Sequence, residues 1–195
     1  MPFMQPDRFF SRITRIDVDR DLRALGRTHV LLDVDNTILT RDTGEVPRDV
    51  GAWLAQARTA GVSFCLVSNN WHQSVFDLAA RLELPLVARS VKPLPPAFLL
   101  GMSKIGARRS DTVVIGDQLI TDCMGGHFLG MPVYLVRPLV EADLKHTLML
   151  RHVERIFIGG LRPEDEPEAV PGGVVATKSS AAEREASPAD GGARP

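Results

Sequence analysis

The chain has 195 residues, 44% of them hydrophobic, which is enough for one globular domain with a substantial core. A formal net charge of −1 gives no overall basic field, so the composition argues against a nucleic-acid-binding protein. Two cysteines, Cys65 and Cys123, are too few for a disulfide framework or a thiolate metal site and favour a reducing compartment. Because no apolar run reaches the roughly 18 residues of a membrane span, we expect a cytoplasmic protein, either soluble or peripheral on the inner face of a membrane.

The first 26 residues are predicted to form an N-terminal amphipathic segment. Within Pro6 to Ile16, apolar residues fall at near-helical spacing with arginines between them. These residues are Phe9, Phe10, Ile13 and Ile16, with Arg8, Arg12 and Arg15. The spacing predicts a short basic helix that either braces the domain or lies in a membrane interface. Gly26 is a suitable C-cap before the first strand of the domain.

From residue 27 to residue 160, short apolar runs alternate with helical patterns. Predicted strands cover 30–32, 62–67, 84–87, 111–115 and 133–136, and predicted helices begin at Pro47, Gln73, Pro95, Leu119 and Glu141. This alternation predicts an α/β fold with three Rossmann-like layers, a parallel sheet with helices on both faces. Residues 161–195 are dominated by Pro, Gly, Ala, Ser and Glu, which predicts a disordered tail.

Polar residues follow four of the predicted strands. Asp33 and Asp35 follow the first strand, and Ser68, Lys92 and Asp117 follow the later ones. Right-handed crossovers bring the carboxyl ends of parallel strands to one edge, so we expect these side chains to form one site. Carboxylates at the end of a buried strand are costly unless they are neutralised, as a bound divalent cation would do.

These segments resemble the motifs of the haloacid dehalogenase (HAD) superfamily of phosphatases. The four matches are Asp33-Val34-Asp35-Asn36-Thr37 to motif I, Ser68-Asn69-Asn70 to motif II, Lys92-Pro93 to motif III, and Gly116-Asp117 with Asp122 to motif IV. They are most similar to the YqeG-like branch of subfamily IIIA, which includes phosphatidylglycerophosphate phosphatases. Trp71 and His127 depart from the polar residues expected at their positions in that branch.

The resemblance implies catalytic and phosphate-binding roles. Asp33 would be the nucleophile that forms an aspartyl-phosphate, and Asp35 the general acid and base. Ser68, Asn69 through its backbone, and Lys92 would bind the phosphate oxygens.

The resemblance also implies a metal site. Asp33, the backbone carbonyl of Asp35, and Asp117 would be ligands, with Asp122 either in direct contact or supporting the ligands from behind. An all-oxygen ligand set suits Mg²⁺ rather than Zn²⁺.

The expected function is therefore Mg²⁺-dependent hydrolysis of a phosphomonoester, with phosphatidylglycerophosphate as the first candidate. Alternatives are a phosphatase of a soluble sugar or nucleotide monophosphate, a non-catalytic binding or assembly protein that kept the site, and a receiver-like phospho-acceptor. The intervals from Asp35 to Ser68 and from Ser68 to Lys92 each have room for one helix, one strand and their loops. We therefore expect no cap domain and an open site.

Overall fold

The computed structural model describes residues 4–40, 43–140 and 161–166. Its strands are β1 (Arg8–Phe10), β2 (His29–Leu32), β3 (Ser63–Val67), β4 (Leu86–Val87), β5 (Thr112–Gly116) and β6 (Val133–Val136). Its α-helices are α1 (Arg48–Thr59), α2 (Gln73–Leu82), α3 (Pro95–Lys104) and α4 (Met124–Phe128). The strands form one sheet in the order β1-β6-β5-β2-β3-β4, and every pair is parallel.

Successive residues of the strands supply two separate cores. On β2, Val30 and Leu32 pack into the core that also holds Trp53 of α1, whereas Leu31 packs into the core that holds Phe98 of α3. Because side chains alternate along a strand, a sheet covered on both faces needs apolar residues at every position, and β2 supplies them. The predicted three-layer α/β fold is therefore confirmed.

The register of the central strands brings their carboxyl ends together. Leu32 at the end of β2 is opposite Leu66 of β3 and Ile115 of β5. The next backbone amide, that of Asp33, donates to the carbonyl of Ile115 at 2.9 Å. Among the described residues, only α1 lies between β2 and β3, and only α2 and β4 lie between β3 and α3. This arrangement agrees with the predicted sheet without a cap.

The predicted amphipathic helix over residues 6–16 is wrong. The segment enters as the edge strand β1, in which Phe9 is opposite Leu135 of β6, and continues as a 3₁₀ turn at Ile13–Arg15. Phe9 and Phe10 enter opposite cores, as adjacent strand residues do. The apolar spacing thus reflects a strand followed by a tight turn. Gly26 does adopt the predicted left-handed conformation, with φ of 69°, after two further short helical turns.

The three arginines of this segment all form ion pairs with carboxylates. The pairs are Arg8 with Asp21 at 2.8 Å, Arg12 with Asp49 at 2.7 Å, and Arg15 with Asp165 at 3.7 Å. These arginines therefore do not form a basic surface of unpaired guanidinium groups.

The first residues of the predicted disordered tail also pack on β1. The amide of Glu164 donates to the carbonyl of Phe9 at 2.8 Å, and its carboxylate accepts from Arg8. The prediction of disorder is thus wrong for residues 161–166, because their acidic side chains pair with arginines near the N-terminus. The predicted helix over 141–158 and the tail from 167 onward lie outside the described residues. In the described ranges, no helix combines the length and apolarity needed to cross a membrane.

We expect Asp21→Asn to lower the free energy of unfolding by about 2 kcal/mol at pH 7. The buried Asp21 carboxylate accepts hydrogen bonds from Arg8, from Arg20 and from the amide of Asp17. Burial raises the pKa of Asp21, but the hydrogen bonds from Arg20 and Arg8 outweigh it and hold the pKa well below its usual range. Urea denaturation of both proteins measures the difference.

The same pKa shift sets the pH dependence. A carboxyl whose pKa is depressed by folding stabilises the protein fully above its unfolded pKa of about 4, and this contribution is lost as the pH falls below that value. The difference between wild type and Asp21→Asn should therefore shrink in acid. The exposed Asp19, changed to Asn, is the matched control and should have little effect. A difference that stays constant into strong acid would contradict the role of Asp21.

Candidate active site

A buried ammonium group lies between two buried carboxylates at the carboxyl edge of the sheet. Lys92 Nζ donates to Asp33 Oδ1 and to Asp122 Oδ1, the latter at 2.8 Å. The hydroxyl of Thr37 donates to the other oxygen of Asp33 at 3.1 Å. Each of these three charged residues is less than 10% exposed, with Lys92 at 7%, Asp33 at 6% and Asp122 at 1%. The structure therefore brings the motif I, III and IV segments together at one edge of the sheet, and the bond from Lys92 to Asp122 is a contact that the sequence did not predict.

The pKa values reflect this burial. Burial raises the pKa of the Asp33 carboxyl, and the Asp122 and Asp35 carboxylates add to the rise while Lys92 opposes it. For Lys92, burial lowers the pKa, but the carboxylates of Asp122 and Asp33 outweigh it and raise the pKa above its usual value. The two carboxylates thus favour the charged form of Lys92, and the cluster contains more acidic groups than this single cation can neutralise.

The second carboxylate of motif I is directed toward the loop after β3. Asp35 is half-buried and accepts from Ser68 Oγ at 3.0 Å and from Asn70 Nδ2 at 3.2 Å. The hydroxyl of Ser68 also accepts from the amide of Asn70 at 3.0 Å. The contact of Asn70 with Asp35 was not predicted from the sequence, although Asn70 lies within the Ser-Asn-Asn segment that matches motif II. These contacts hold the Asp35 carboxylate in one orientation.

A tight turn directly follows the two acids. Asn36 adopts a left-handed conformation with φ of 67°, and its amide donates to the carbonyl of Leu39 at 2.8 Å. Its side chain exchanges two hydrogen bonds with the backbone of Val140, at 2.9 and 3.0 Å. Asparagine tolerates this conformation better than most residues. The chain therefore turns directly after Asp35 at the carboxyl end of β2, and both acids stay at this edge of the sheet.

Asn69 has a structural role that the sequence did not predict. Its side-chain oxygen accepts from Ser90 Oγ at 2.8 Å and from the amide of Lys92 at 2.7 Å, and its Nδ2 donates to the Lys92 carbonyl at 3.3 Å. Arg89 and Val91 in this loop both have φ of 52°. Such left-handed conformations cost about 1 to 2 kcal/mol per non-glycine residue. The side chain of Asn69 thus helps to hold a strained loop, whereas the phosphate contact through its backbone stays a prediction.

Three carboxylates lie close enough together to hold a metal ion. Oxygens of Asp33, Asp117 and Asp122 lie within 4.8 Å of one another, and all three residues are buried. Oxygen donors with excess negative charge fit a hard divalent cation. Asp122 is also engaged elsewhere, because its Oδ1 accepts from Lys92 and its Oδ2 accepts from the amide of Gln118 at 3.2 Å. Asp33 is engaged in the same way, because its two oxygens accept from Lys92 and from Thr37.

An open pocket of about 600 Å³ gives access to this cluster. Asp33, Asp35, Asn69 and Lys92 line it among the residues predicted from the sequence. Its walls also include Asn70, Thr40, Gly44, Ser74, Gln118 and Thr121. Ser68 is fully buried behind Asp35 and reaches the pocket through that carboxylate. The pocket has the size of a small-molecule site, with both motif I acids in its wall.

Comparison with known proteins relates the chain to phosphatases. A family model described as HAD-hydrolase-like matches residues 90–149. The chain is 30% identical over 160 residues to the "Probable phosphatase YqeG" of Bacillus subtilis (strain 168). That alignment covers 82% of this chain and 92% of the relative.

Solved structures with a similar arrangement include two from bacteria. An uncharacterized protein from Corynebacterium glutamicum has a TM-score of 0.48 and 18% identity, over 71% of this chain and 98% of that one. The cobalt-bound deoxy-D-mannose-octulosonate 8-phosphate phosphatase of Haemophilus influenzae has a TM-score of 0.47 and 14% identity, over 69% of this chain and 90% of that one.

We expect Gly116→Ala to destabilise the protein by about 1 to 3 kcal/mol, as overpacking of a filled site does. A methyl group at Gly116, the last residue of β5, would overlap the side chain of Asp122, which is itself bonded to Lys92. Gly51→Ala is the matched control, because its added methyl group meets open space within helix α1. It should be neutral or stabilise by up to about 1 kcal/mol. Urea denaturation midpoints measure both, and equal effects of the two changes would contradict the close packing of Asp122 on β5.

Proposed function

Because this chain belongs to the YqeG-like branch of the HAD superfamily and is a HAD-type phosphatase, we propose that it hydrolyses phosphomonoesters with Mg²⁺ through an aspartyl-phosphate on Asp33. The observation that carries the proposal is the contact of Lys92 with Asp33, with Asp35 held separately in the same pocket. A binding protein that had lost catalysis would need neither the oriented second carboxylate nor the buried lysine.

In the first step, a carboxylate oxygen of Asp33 attacks phosphorus and the ester oxygen leaves. The leaving oxygen takes a proton from Asp35, whose orientation Ser68 and Asn70 fix. Lys92 offsets the charge of the nucleophile and of the phosphoryl oxygens. A divalent cation held by Asp33, the Asp35 carbonyl and Asp117 would supply further charge neutralisation.

In the second step, water attacks the phosphorus of the aspartyl-phosphate. Asp35, now ionised, takes the proton from this water, and inorganic phosphate leaves with Asp33 restored. Ser68 and the backbone of Asn69 are proposed phosphate contacts. Asp122 supports the reaction by holding Lys92, which donates to its Oδ1.

For the substrate we propose a phosphomonoester presented at a membrane surface, with phosphatidylglycerophosphate as the first candidate. The resemblance to the branch and the uncapped sheet edge support this choice, because an open site accepts a head group attached to a large body. The enzyme would then work as a peripheral protein on the inner face of the membrane. The arginines near the N-terminus do not support membrane contact, since Arg8, Arg12 and Arg15 are paired within the protein.

We expect phosphatase activity to require Mg²⁺ and to disappear in Asp33→Asn, because an amide can neither attack phosphorus nor balance the cation. Asp35→Asn should lose about 100-fold or more in turnover, as the loss of a general acid and base does. The matched control is Asp77→Asn on the surface of α2, which should keep wild-type turnover. Phosphate release with and without Mg²⁺ measures these effects, and wild-type turnover by a folded Asp33→Asn protein would rule out the covalent route.

We expect faster initial rates on phosphatidylglycerophosphate in anionic vesicles than on soluble sugar and nucleotide monophosphates. The physical reason is that a small substrate leaves an uncapped pocket open to water, so its binding excludes little water from the reacting groups. Phosphate release from both substrate classes at matched phosphate concentration is the measurement. Faster turnover of the soluble esters would keep the phosphatase chemistry and replace the lipid by the soluble alternative.

A further inference from the structure

A second pocket adjoins the catalytic pocket and has a different chemistry. It has a volume of about 550 Å³ and is lined by Asn69, Trp71, Arg89 and Val91. Asn69 lines both pockets, so they share a wall. A group attached to a phosphoryl group at Asp33 would therefore lie close to this second pocket.

The pocket presents unusually exposed apolar groups. Trp71 is 59% exposed and Val91 is 63% exposed. Tryptophan has an apolar ring and one polar N–H group, which suits the boundary between lipid and water. These residues favour an occupant with an apolar part over a fully hydrated sugar.

The pocket also supplies a cation. The side chain of Arg89 is exposed and forms no ion pair with another described residue. Arg8, Arg12 and Arg15, in contrast, are each paired with a carboxylate. A guanidinium that forms no ion pair within the described part of the chain and lies beside an apolar wall complements a second anionic group, such as a phosphodiester, better than it complements a neutral body.

The walls of this pocket are fixed relative to the catalytic lysine. Arg89 and Val91 flank Ser90, and the next residue is Lys92. The side chain of Asn69 bonds to Ser90 and to the backbone of Lys92, and the amide of Arg89 donates to the carbonyl of Asn70 at 3.3 Å. The loop that buries the ammonium of Lys92 thus exposes its neighbours Arg89 and Val91. A ligand seated on these two residues would have a fixed distance to the phosphoryl site.

We propose that this pocket is the leaving-group subsite, and that it takes the phosphodiester and adjoining apolar part of an anionic phospholipid monoester while the membrane interface covers Trp71. This inference rests on the proposed phosphatase function and deepens it. Arg89 pairs with the phosphodiester, and Trp71 and Val91 contact the apolar region next to it. Membrane contact is thereby assigned to the mouth of the site and not to the N-terminal segment.

The kinetic test compares two substrates in the full-length chain. These are phosphatidylglycerophosphate in phosphatidylcholine vesicles and p-nitrophenyl phosphate, which is too small to fill the second pocket. We expect the ratio of kcat/KM for the lipid to kcat/KM for the small ester to fall at least about tenfold in Trp71→Ala and about fivefold in Arg89→Gln. Leu100→Ala and Arg81→Gln change an exposed leucine and an exposed arginine elsewhere and should keep the wild-type ratio.

Tryptophan fluorescence gives a test that is independent of turnover. The chain has two tryptophans, and Trp53 is buried while Trp71 is exposed. Vesicles of phosphatidylcholine with phosphatidylglycerol should shift the emission of wild type to shorter wavelength, and should cause no shift in Trp71→Phe.

The two proposals fail in different ways. An unchanged substrate ratio in Trp71→Ala and Arg89→Gln, or an equal fluorescence shift in Trp71→Phe, would overturn the subsite while phosphatase activity remains. Absence of Mg²⁺-dependent hydrolysis of both esters by wild type would overturn the proposed function itself, whereas the fluorescence shift would still report the apolar contact of Trp71.

Discussion

The contact of one buried ammonium group with two buried carboxylates is the constraint on which the rest of this site depends. Lys92 Nζ joins Asp33, which follows β2, to Asp122, which lies beyond β5. Removing one partner of such a buried group costs about 3 to 5 kcal/mol, because an uncompensated charge stays behind. The site and the sheet edge are therefore stabilised together. Gly116 belongs to the same constraint, since any larger residue at the end of β5 would overlap Asp122.

Bringing the lysine inward requires a loop that most sequences would avoid. Arg89 and Val91 adopt left-handed conformations on either side of Ser90, and the amide group of Asn69 compensates with hydrogen bonds to Ser90 and to the backbone of Lys92. Strain of this kind persists where surrounding contacts determine the conformation, and it often accompanies function. In this loop, the strained conformation directs the side chains of two consecutive residues to different environments. Lys92 faces the buried acids, and Val91 faces solvent beside the pocket.

The sequence predicts the sheet and the acidic cluster well, because both depend on local patterns. The continuous apolar run of β2 is typical of a strand buried on both faces, and the acids come directly after it. The edge strand β1 was missed because Phe9, Phe10 and the buried isoleucines fit a helical spacing as well as a strand followed by a 3₁₀ turn. The roles of Asn69 and Asn70 could not be predicted, since asparagine after a strand is also an ordinary helix N-cap and only the folded loop shows its partners.

An uncapped hydrolase must control water without a lid of its own. In the proposed reaction, water should be excluded while Asp33 attacks and admitted once the leaving group has gone. The adjoining pocket gives a physical basis for this order. A leaving group that fills the space beside Trp71 and Val91 would lie against the catalytic pocket and limit the entry of water, because Asn69 lines both pockets. Its departure then opens the same path to water, with Asp35 already oriented to take the proton. A small ester would leave that path open throughout, so in this proposal the bulk of the substrate supplies the closure that a cap domain would otherwise provide.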